Sequence, residues 1–349
     1  MKGKTALAGK LPEELAELLP SYPLFRTRQL YQAIYSGAGS FDEMSSLPVS
    51  MRKELEENFQ LFPGSITNEF KDRDGTVKYV ISLGDGIAVE AVLLCDEEDR
   101  KTACLSTQAG CPMKCVFCKT GTLGFRRNLS ASEMAGQFLL LLQKEPKISN
   151  IVIMGMGEPL LNLEALKKSL NYFTHQNGLN ISKRRITIST CGIEKGIQDL
   201  ADNGPDIRLA LSLTTARQDL RERLMPVSRE NPLNKIKDSL LYYQKKKAER
   251  ITLEMVLLSG INTSPAEAVA VAEFTKGLNT VINLIPWNPV EGLNLEGNTL
   301  KSPSHIEITA FAAALEYRKL KVTQRYGKGR SIGAACGQLG MTNYQGNRE

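Results

Sequence analysis

From about Lys101 onward the sequence alternates short apolar runs with longer segments of helical period, and no other feature restricts the fold as strongly. Candidate strands are Thr102–Ser106, Ile151–Met154, Arg185–Ser189, Ile207–Leu213, Ile251–Leu257, Val281–Ile285 and Val322–Arg325. Between them the helical period marks Ser132–Gln143, Leu163–Gln176, Ile193–Asp202, Pro232–Lys247, Pro265–Lys276 and Ser304–Tyr317. Parallel neighbours need a crossover long enough to hold a helix, so this rhythm predicts an α/β fold with a parallel sheet, open or closed into a full or partial barrel. Such folds place chemistry at the carboxyl ends of the strands, which makes the residues directly after each run the ones to inspect.

The preceding chain reads differently. Helical segments at Pro12–Leu19, Phe25–Ser36 and Val49–Phe59 predict a small helical domain over 1–62. Residues 63–96 then carry three β-rich runs, Ile66–Phe70, Val77–Leu83 and Ile87–Leu94, punctuated by Asp74-Gly75 and Asp85-Gly86. Asp-Gly between such runs is a hairpin signal, so a three-strand meander is expected. The α/β domain occupies 97–340 and a frayed tail 341–349.

Seven cysteines in 349 residues is an odd number, and no apolar stretch approaches the ~18 residues that a spanning helix or a signal region would require. A cytoplasmic location follows as the expectation, with thiols serving metal binding or catalysis and no membrane partner. Forty-four Lys+Arg against 38 Asp+Glu give a net charge of +6, which is compatible with a polyanionic partner. Cys111, Cys115 and Cys118 place three thiols within eight residues, directly after a candidate strand. Thiolates are soft ligands suited to iron–sulfur centres, and three of them on a four-iron cluster leave one iron open to a substrate or cofactor. A three-cysteine zinc site with a distant fourth ligand is the alternative, weakened by the presence of only two histidines, His175 and His305, that form no ligand-like pair.

Cys-x-x-x-Cys-x-x-Cys after the first strand of a β/α domain resembles the radical S-adenosylmethionine (radical SAM) superfamily, whose domain is a partial (β/α)6-type barrel. Cys104-Leu-Ser-Thr-Gln-Ala-Gly-Cys111, Met154-Gly-Met-Gly-Glu-Pro159, Ser189-Thr-Cys-Gly192, Leu211-Ser212-Leu213, Pro286-Trp-Asn-Pro289 and Ala334-Ala-Cys336-Gly-Gln-Leu339, in that order, are similar to the RlmN/Cfr adenosine methyltransferases. The resemblance implies one [4Fe-4S] cluster on Cys111, Cys115 and Cys118, with SAM on its open iron. It assigns SAM contacts to Gly157, Glu158, Ser189, Ser212, Leu213, Thr214 and Asn288, although many relatives carry His where this chain has Thr214. It implies that Cys336 is methylated by a first SAM, and that a radical derived from a second SAM activates this methyl group for addition to adenine. Cys104 then closes a transient disulfide with Cys336 as product leaves, and Glu90 aligns with a residue proposed as the proton acceptor. Cys95 and Cys191 have no motif role and are expected to be small buried side chains.

Pro159 is like the RlmN branch, where Cfr-type enzymes carry Ala. The implied product is therefore carbon-2 methylation of adenosine 2503 in 23S rRNA, and of adenosine 37 in tRNA, with a Cfr-like carbon-8 methyltransferase as the alternative. A flavodoxin-type electron donor and a monomer are further expectations. The target base must leave its stack to reach a closed pocket. Phosphate contacts are expected from Arg126-Arg127, Lys183-Arg184-Arg185, Arg217, Arg221, Arg223, Arg325, Lys328 and Arg330, and from Arg26, Arg28, Arg52 and Lys53 in the helical domain, while Lys245–Lys247 reads as a solvated helix face. A non-catalytic RNA-binding protein with a structural metal, and a radical SAM enzyme acting on a protein or small molecule, are the rivals. The first predicts a colourless zinc protein with no need for Cys336, and the second leaves the Cys104/Cys336 pair without a purpose.

Overall fold

Helices α1 (Pro12–Leu18), α2 (Leu24–Tyr35) and α3 (Val49–Asn58) open the chain where the period places them. They belong to a computed structural model that describes residues 4–96 and 98–340; the expected tail at 341–349 lies outside the described residues. Leu30, Tyr31 and Ile34 of α2 and Met51 and Leu55 of α3 are buried at helical spacing, and they join one continuous core with Leu139, Tyr172 and Phe173 from the following region. A short parallel pair that the period does not reveal, Thr5–Ala6 with Phe59–Gln60, ties the two ends of this unit together.

The meander forms as β1 (Gly64–Lys71), β2 (Val77–Leu83) and β3 (Ala88–Cys95), followed by β4 (Lys101–Cys104), β5 (Ile148–Ile153), β6 (Ile186–Thr190), β7 (Arg208–Ser212), β8 (Ile251–Leu257), β9 (Thr280–Pro286) and β10 (Val322–Gln324). All ten make a single sheet in strict chain order. Strands β1 to β4 are antiparallel to their neighbours, and β4 to β10 run parallel. The parallel strands are linked by α4 (Ala131–Lys144), α5 (Leu163–Thr174), α6 (Glu194–Asn203), α7 (Gln218–Leu224) with α8 (Leu233–Lys247), α9 (Pro265–Thr275) and α10 (His305–Glu316). Six helical crossovers on seven parallel strands give the expected partial barrel. Ser130, Ser264 and Ser304 each accept from the backbone N–H three residues on, so the Ser-x-x-Glu pattern starts α4, α9 and α10 in the same way.

Past β10 the chain does not turn back over the last helix. Instead it crosses the carboxyl end of the sheet to the meander, where Gly329 N–H donates to Asp74 at 2.8 Å, Ser331 N–H to Asp72 at 3.2 Å and Gly340 N–H to Glu90 at 2.8 Å. This strap brings the far end of the sequence over the ends of the first parallel strands.

Candidate active site

The cysteine loop starts at a glycine that no other residue can replace. Gly110 has φ +78°, and a Cβ there would lie 1.8 Å from the Gly124 carbonyl oxygen, because Gln108–Gly110 pairs with Phe125–Asn128 across the loop. Cys111 and Cys115, with Met113 and Phe117, sit in an apolar nest built from Leu220 and Leu224 of α7, Met225, Leu258 and Trp287. Trp287 Nε1–H donates to the Phe117 carbonyl at 2.9 Å, and Val116 N–H to the Leu224 carbonyl at 3.0 Å, so the loop is held from two crossovers. Burial, then the neighbouring thiols, pushes the Cys111 thiol up to about 12; burial foremost pushes Cys118 up to about 11. Thiols this reluctant to ionise unaided become ligands when a cation stabilises the thiolate.

That charge has a counterpart in Arg221 of α7, which is 0% exposed. Its guanidinium donates to the carbonyls of Cys191 and Ser212, at 2.6 and 3.1 Å, to the Leu213 carbonyl at 3.2 Å and to the Ser228 hydroxyl. Among the described residues no carboxylate ion-pairs with it; burial lowers its proton affinity, while the Cys191, Cys115 and Glu158 groups oppose this. A buried cation without a carboxylate partner, facing thiols, fits an anionic group at the cysteine loop. Cys191, at 4.0 Å from the Cys115 sulfur, and Cys95, beside Lys101, are half-buried rather than the buried fillers expected.

Met154–Pro159 follows β5 and wraps against the segment leading into the loop. Thr107 and Gln108 N–H groups donate to the Met156 carbonyl, and Glu158 N–H to Gln108 Oε1 at 2.8 Å. Gly157, at φ +104°, is required because a Cβ would meet Gln108 at 2.6 Å; its close approach is to protein, where the sequence suggested a ligand. The Glu158 carboxylate is 1% exposed and already accepts from Thr190 Oγ1 (2.7 Å), Leu160 N–H (3.1 Å) and Cys191 N–H (2.7 Å). Burial raises its pKa against these bonds. With most of its lone pairs committed, the side chain braces the ends of β5 and β6.

A polar row crosses the remaining strands. Ser189 and Ser212 hydroxyls are 3.2 Å apart, and in register across β7, β8, β9 and β10 stand Ser212, Glu254, Asn283 and Thr323. Asn283 Nδ2–H donates to Glu254 at 2.6 Å, and Thr323 Oγ1–H lies 3.3 Å from Asn283 Oδ1. Burial raises the Glu254 pKa. The sequence reading passed over Glu254 and Asn283; the available signal was a carboxylate and an amide in the middle of otherwise apolar strands, which burial penalises unless each is used. Beyond β7, Leu213 and Thr214 are fully buried. Thr214 holds φ +59°, costly for a β-branched residue, and its hydroxyl has no partner. Strained backbone and an orphaned buried hydroxyl together mark Thr214 as a position held for more than packing.

The strap carries Cys336, an exposed residue between buried Ala335 and Gln338. Asn288 donates to the Cys336 carbonyl at 3.0 Å and accepts from Arg330 at 2.8 Å, so both ends of its amide serve the strap. Lys119 N–H donates to the Gly337 carbonyl at 2.7 Å, joining strap to cysteine loop. Cys104 ends β4; burial, then the charge of Cys336, pushes its thiol up to about 12. Desolvation and then Glu254 raise the Cys336 thiol, with Arg325 opposing. Glu90 lies within β3 and is 2% exposed, excluding a solvated strand residue; burial raises its pKa and Lys78 opposes.

Several basic residues expected to face RNA are otherwise engaged. Arg221 is buried, Arg127 pairs with Asp85 and Glu133, and Arg223 pairs with Glu296. Lys183–Arg185 precede β6 and so lie at the amino end of the parallel strands, opposite the cysteines. Lys245 and Lys246 are exposed on α8, as expected, whereas the Lys247 side chain is largely buried, paired with Asp206 and donating to the Gly204 carbonyl at 2.7 Å. Exposed aromatics mark the correct end instead: Phe125 beside Arg126, and Tyr326 beside Arg325.

Comparison with known proteins agrees with this geometry. Residues 105–271 match the radical SAM superfamily. The chain is 50% identical over 347 residues to a Treponema denticola protein named "probable dual-specificity RNA methyltransferase RlmN", covering 99% of each. It is 40% identical to the dual-specificity RNA methyltransferase RlmN of Syntrophobacter fumaroxidans, over 90% of this chain and 91% of that one. The crystal structure of a radical SAM methyltransferase from Sphaerobacter thermophilus superposes with a TM-score of 0.91 at 36% identity, covering 96% and 99% of the two chains. Three thiols in an apolar nest at the mouth of a partial barrel, and a fourth delivered by the strap, are thus features of an RNA-methylating enzyme, and the chain belongs to the RlmN family of radical SAM RNA methyltransferases.

Proposed function

We propose that this enzyme methylates carbon 2 of adenosine 2503 in 23S rRNA and of adenosine 37 in tRNA. The observation that supports the reading is the strap, which carries Cys336 and hydrogen-bonds to Glu90 through Gly340 N–H and to the cysteine loop through Lys119 N–H. Cys111, Cys115 and Cys118 would hold a [4Fe-4S] cluster, with Arg221 balancing its charge and the Ser189–Ser212 pair, Leu213, Thr214 and the Gly157–Glu158 backbone receiving SAM. Asn288 acts from the strap side. When bound, the cluster supplies the electron that cleaves SAM to a 5′-deoxyadenosyl radical.

The chain's own residues do the rest. Cys336 loses its proton and takes the methyl group of a first SAM on sulfur, with S-adenosylhomocysteine leaving; removal of one hydrogen atom from that methyl group by the radical derived from a second SAM would let its carbon bond to adenine. Glu90, whose burial raises its proton affinity, accepts the ring proton from the adduct. Cys104, as thiolate, attacks the Cys336 sulfur; the carbon–sulfur bond breaks with its electron pair going to the product carbon, which takes up a proton to become the methyl group, the adduct's unpaired electron having passed back to the electron donor, and the Cys104–Cys336 disulfide that remains is reduced by a two-electron thiol donor. Burial keeps Cys104 protonated until that step, which protects it from premature methylation. Phe125, Tyr326, Arg126 and Arg325 at the mouth, and the exposed Leu24, Phe25 and Val49 with Arg28 on the N-terminal helices, supply stacking and phosphate contacts for RNA. A flavodoxin-type donor and a monomeric, cytoplasmic enzyme complete the reading; no helix among the described residues is long and apolar enough to cross a membrane.

The test is anaerobic turnover of reconstituted enzyme with SAM, reductant and an unmodified 23S rRNA fragment, followed by nucleoside mass spectrometry. 2-Methyladenosine, lost on Cys336→Ala, is the expected product. 8-Methyladenosine would assign a Cfr-like reaction instead, and a SAM-cleaving protein that methylates neither carbon would remove the RNA site assignment.

A further inference from the structure

Lys78 and Glu90 occupy diagonal positions on β2 and β3, since Val80 is the register partner of Glu90. Their side chains are each 3% exposed and approach to 3.6 Å. A buried ion pair away from the cysteine loop is costly to maintain, and Arg or Lys pairs of this kind are kept where they fix a register or a switch. Here both partners also reach the strap. Lys78 Nζ donates to the Gly333 carbonyl at 3.3 Å, and the second Glu90 oxygen accepts from Gly340 N–H at 2.8 Å. Gly333 and Gly340 bracket Cys336. The other anchors of this stretch are neutral: Asn288 and Lys119 N–H on carbonyls, Thr120 Oγ1–H on the Leu339 carbonyl at 2.7 Å, and Gln338 on the Pro289 carbonyl at 3.1 Å.

We propose that Lys78 is a positioning residue whose ion pair with Glu90 clasps the Cys336 loop at both ends, and that proton uptake by Glu90 opens the clasp. The inference rests on the proposed role of Glu90 as proton acceptor. While Glu90 is a carboxylate, it holds Gly340 directly and Lys78 by charge, and Lys78 holds Gly333. When the carboxylate takes the adenine proton it becomes a neutral acid, and no electrons move. The ion-pair attraction to Lys78 ends, while the Gly333 carbonyl and the Phe70 ring, whose centroid is 5.3 Å away, remain among the contacts of its ammonium. Among the described residues, the ion-paired anchor of 333–340 is thereby released in the same step that makes the adduct ready for cleavage. Proton abstraction thus precedes, and permits, the approach of Cys336 to Cys104. Among the described residues, the groups recorded against the Glu90 carboxylate are Lys78 from the neighbouring strand β2 and the Gly340 N–H from the strap.

Hydrogen-exchange mass spectrometry on holoenzyme, reading protection factors of 333–340 from pH 8 downward, tests the clasp. Glu90→Gln and Lys78→Met should each lower protection at pH 8 by about tenfold, and the double variant no further than either. Lys78→Arg should restore it. Wild-type protection should fall with decreasing pH, and that of Glu90→Gln should stay flat. Protection unchanged in both single variants, or losses that add in the double variant, would overturn the clasp. Glu90→Gln and Lys78→Arg preserve volume, so a folding failure of Lys78→Met leaves the pH comparison to decide. The rRNA product assay reads the other claim: normal 2-methyladenosine formation with a pH-insensitive loop in wild type removes the clasp alone, whereas a charge-dependent loop in an enzyme that forms no methyladenosine keeps the clasp and removes the substrate assignment.

Discussion

At the residue scale, burial decides what each polar group can do. Arg221 reads from sequence as one more surface cation among Arg217 and Arg223, yet it is wholly buried and joins the ends of β6 and β7 through three carbonyls. Arg221→Leu removes a donor from each of those carbonyls and from Ser228 and should cost on the order of 3 kcal/mol in denaturant unfolding of the cluster-free protein; a loss under about 1 kcal/mol would show that the bonds are dispensable. Glu254 behaves oppositely. Its folded pKa lies above the ordinary value of 4.5, so its contribution to stability is fully present below that value and is lost as pH rises through the folded pKa. Glu254→Gln keeps the acceptor for Asn283 and should melt above wild type at pH 8, with the gap closing as pH falls toward about 4.5. A gap independent of pH would mean that charge is not its cause. Neither role follows from spacing: Arg221 reads as a phosphate contact until its burial is known, and Glu254 is marked only by being a carboxylate within an apolar strand.

At the element scale, the strands and crossover helices were predictable to within a few residues because burial on both faces forces apolar runs, and a helix must follow each one. What escaped are pieces too short to have a period: the Gln108–Gly110/Phe125–Asn128 hairpin, α7, and the Asn294–Leu295/Asn298–Thr299 pair. These short pieces shape the nest around the cysteine loop. Trp287 illustrates their cooperation, since its ring fills the nest while its N–H holds Phe117. Trp287→Phe should leave the far-ultraviolet circular dichroism unchanged and let a chelator strip iron from the reconstituted enzyme several-fold faster. Equal stripping rates would show that the loop is held without this bond.

At the scale of the whole molecule, the net charge of +6 is less informative than its distribution. Phe125→Ala and Tyr326→Ala should each weaken binding of the rRNA fragment by about 1–3 kcal/mol without altering its salt dependence, whereas Arg126→Gln should reduce the salt slope by about one. Fluorescence anisotropy at several salt concentrations separates the two effects; unchanged affinity in all three variants would move the RNA interface elsewhere. The sequence by itself determined the alternation of strand and helix, the cysteine triplet after the first parallel strand and the family motifs at later strand ends, because each is a local pattern of burial or spacing. Only the tertiary structure decided that the meander extends the same sheet, that Lys183–Arg185 lie at the wrong end, and that the strap carries Cys336 across to Glu90 and toward Cys104. These are relations between residues far apart in the chain, fixed by how strands order themselves and by where buried hydrogen bonds find partners, and no local pattern encodes them.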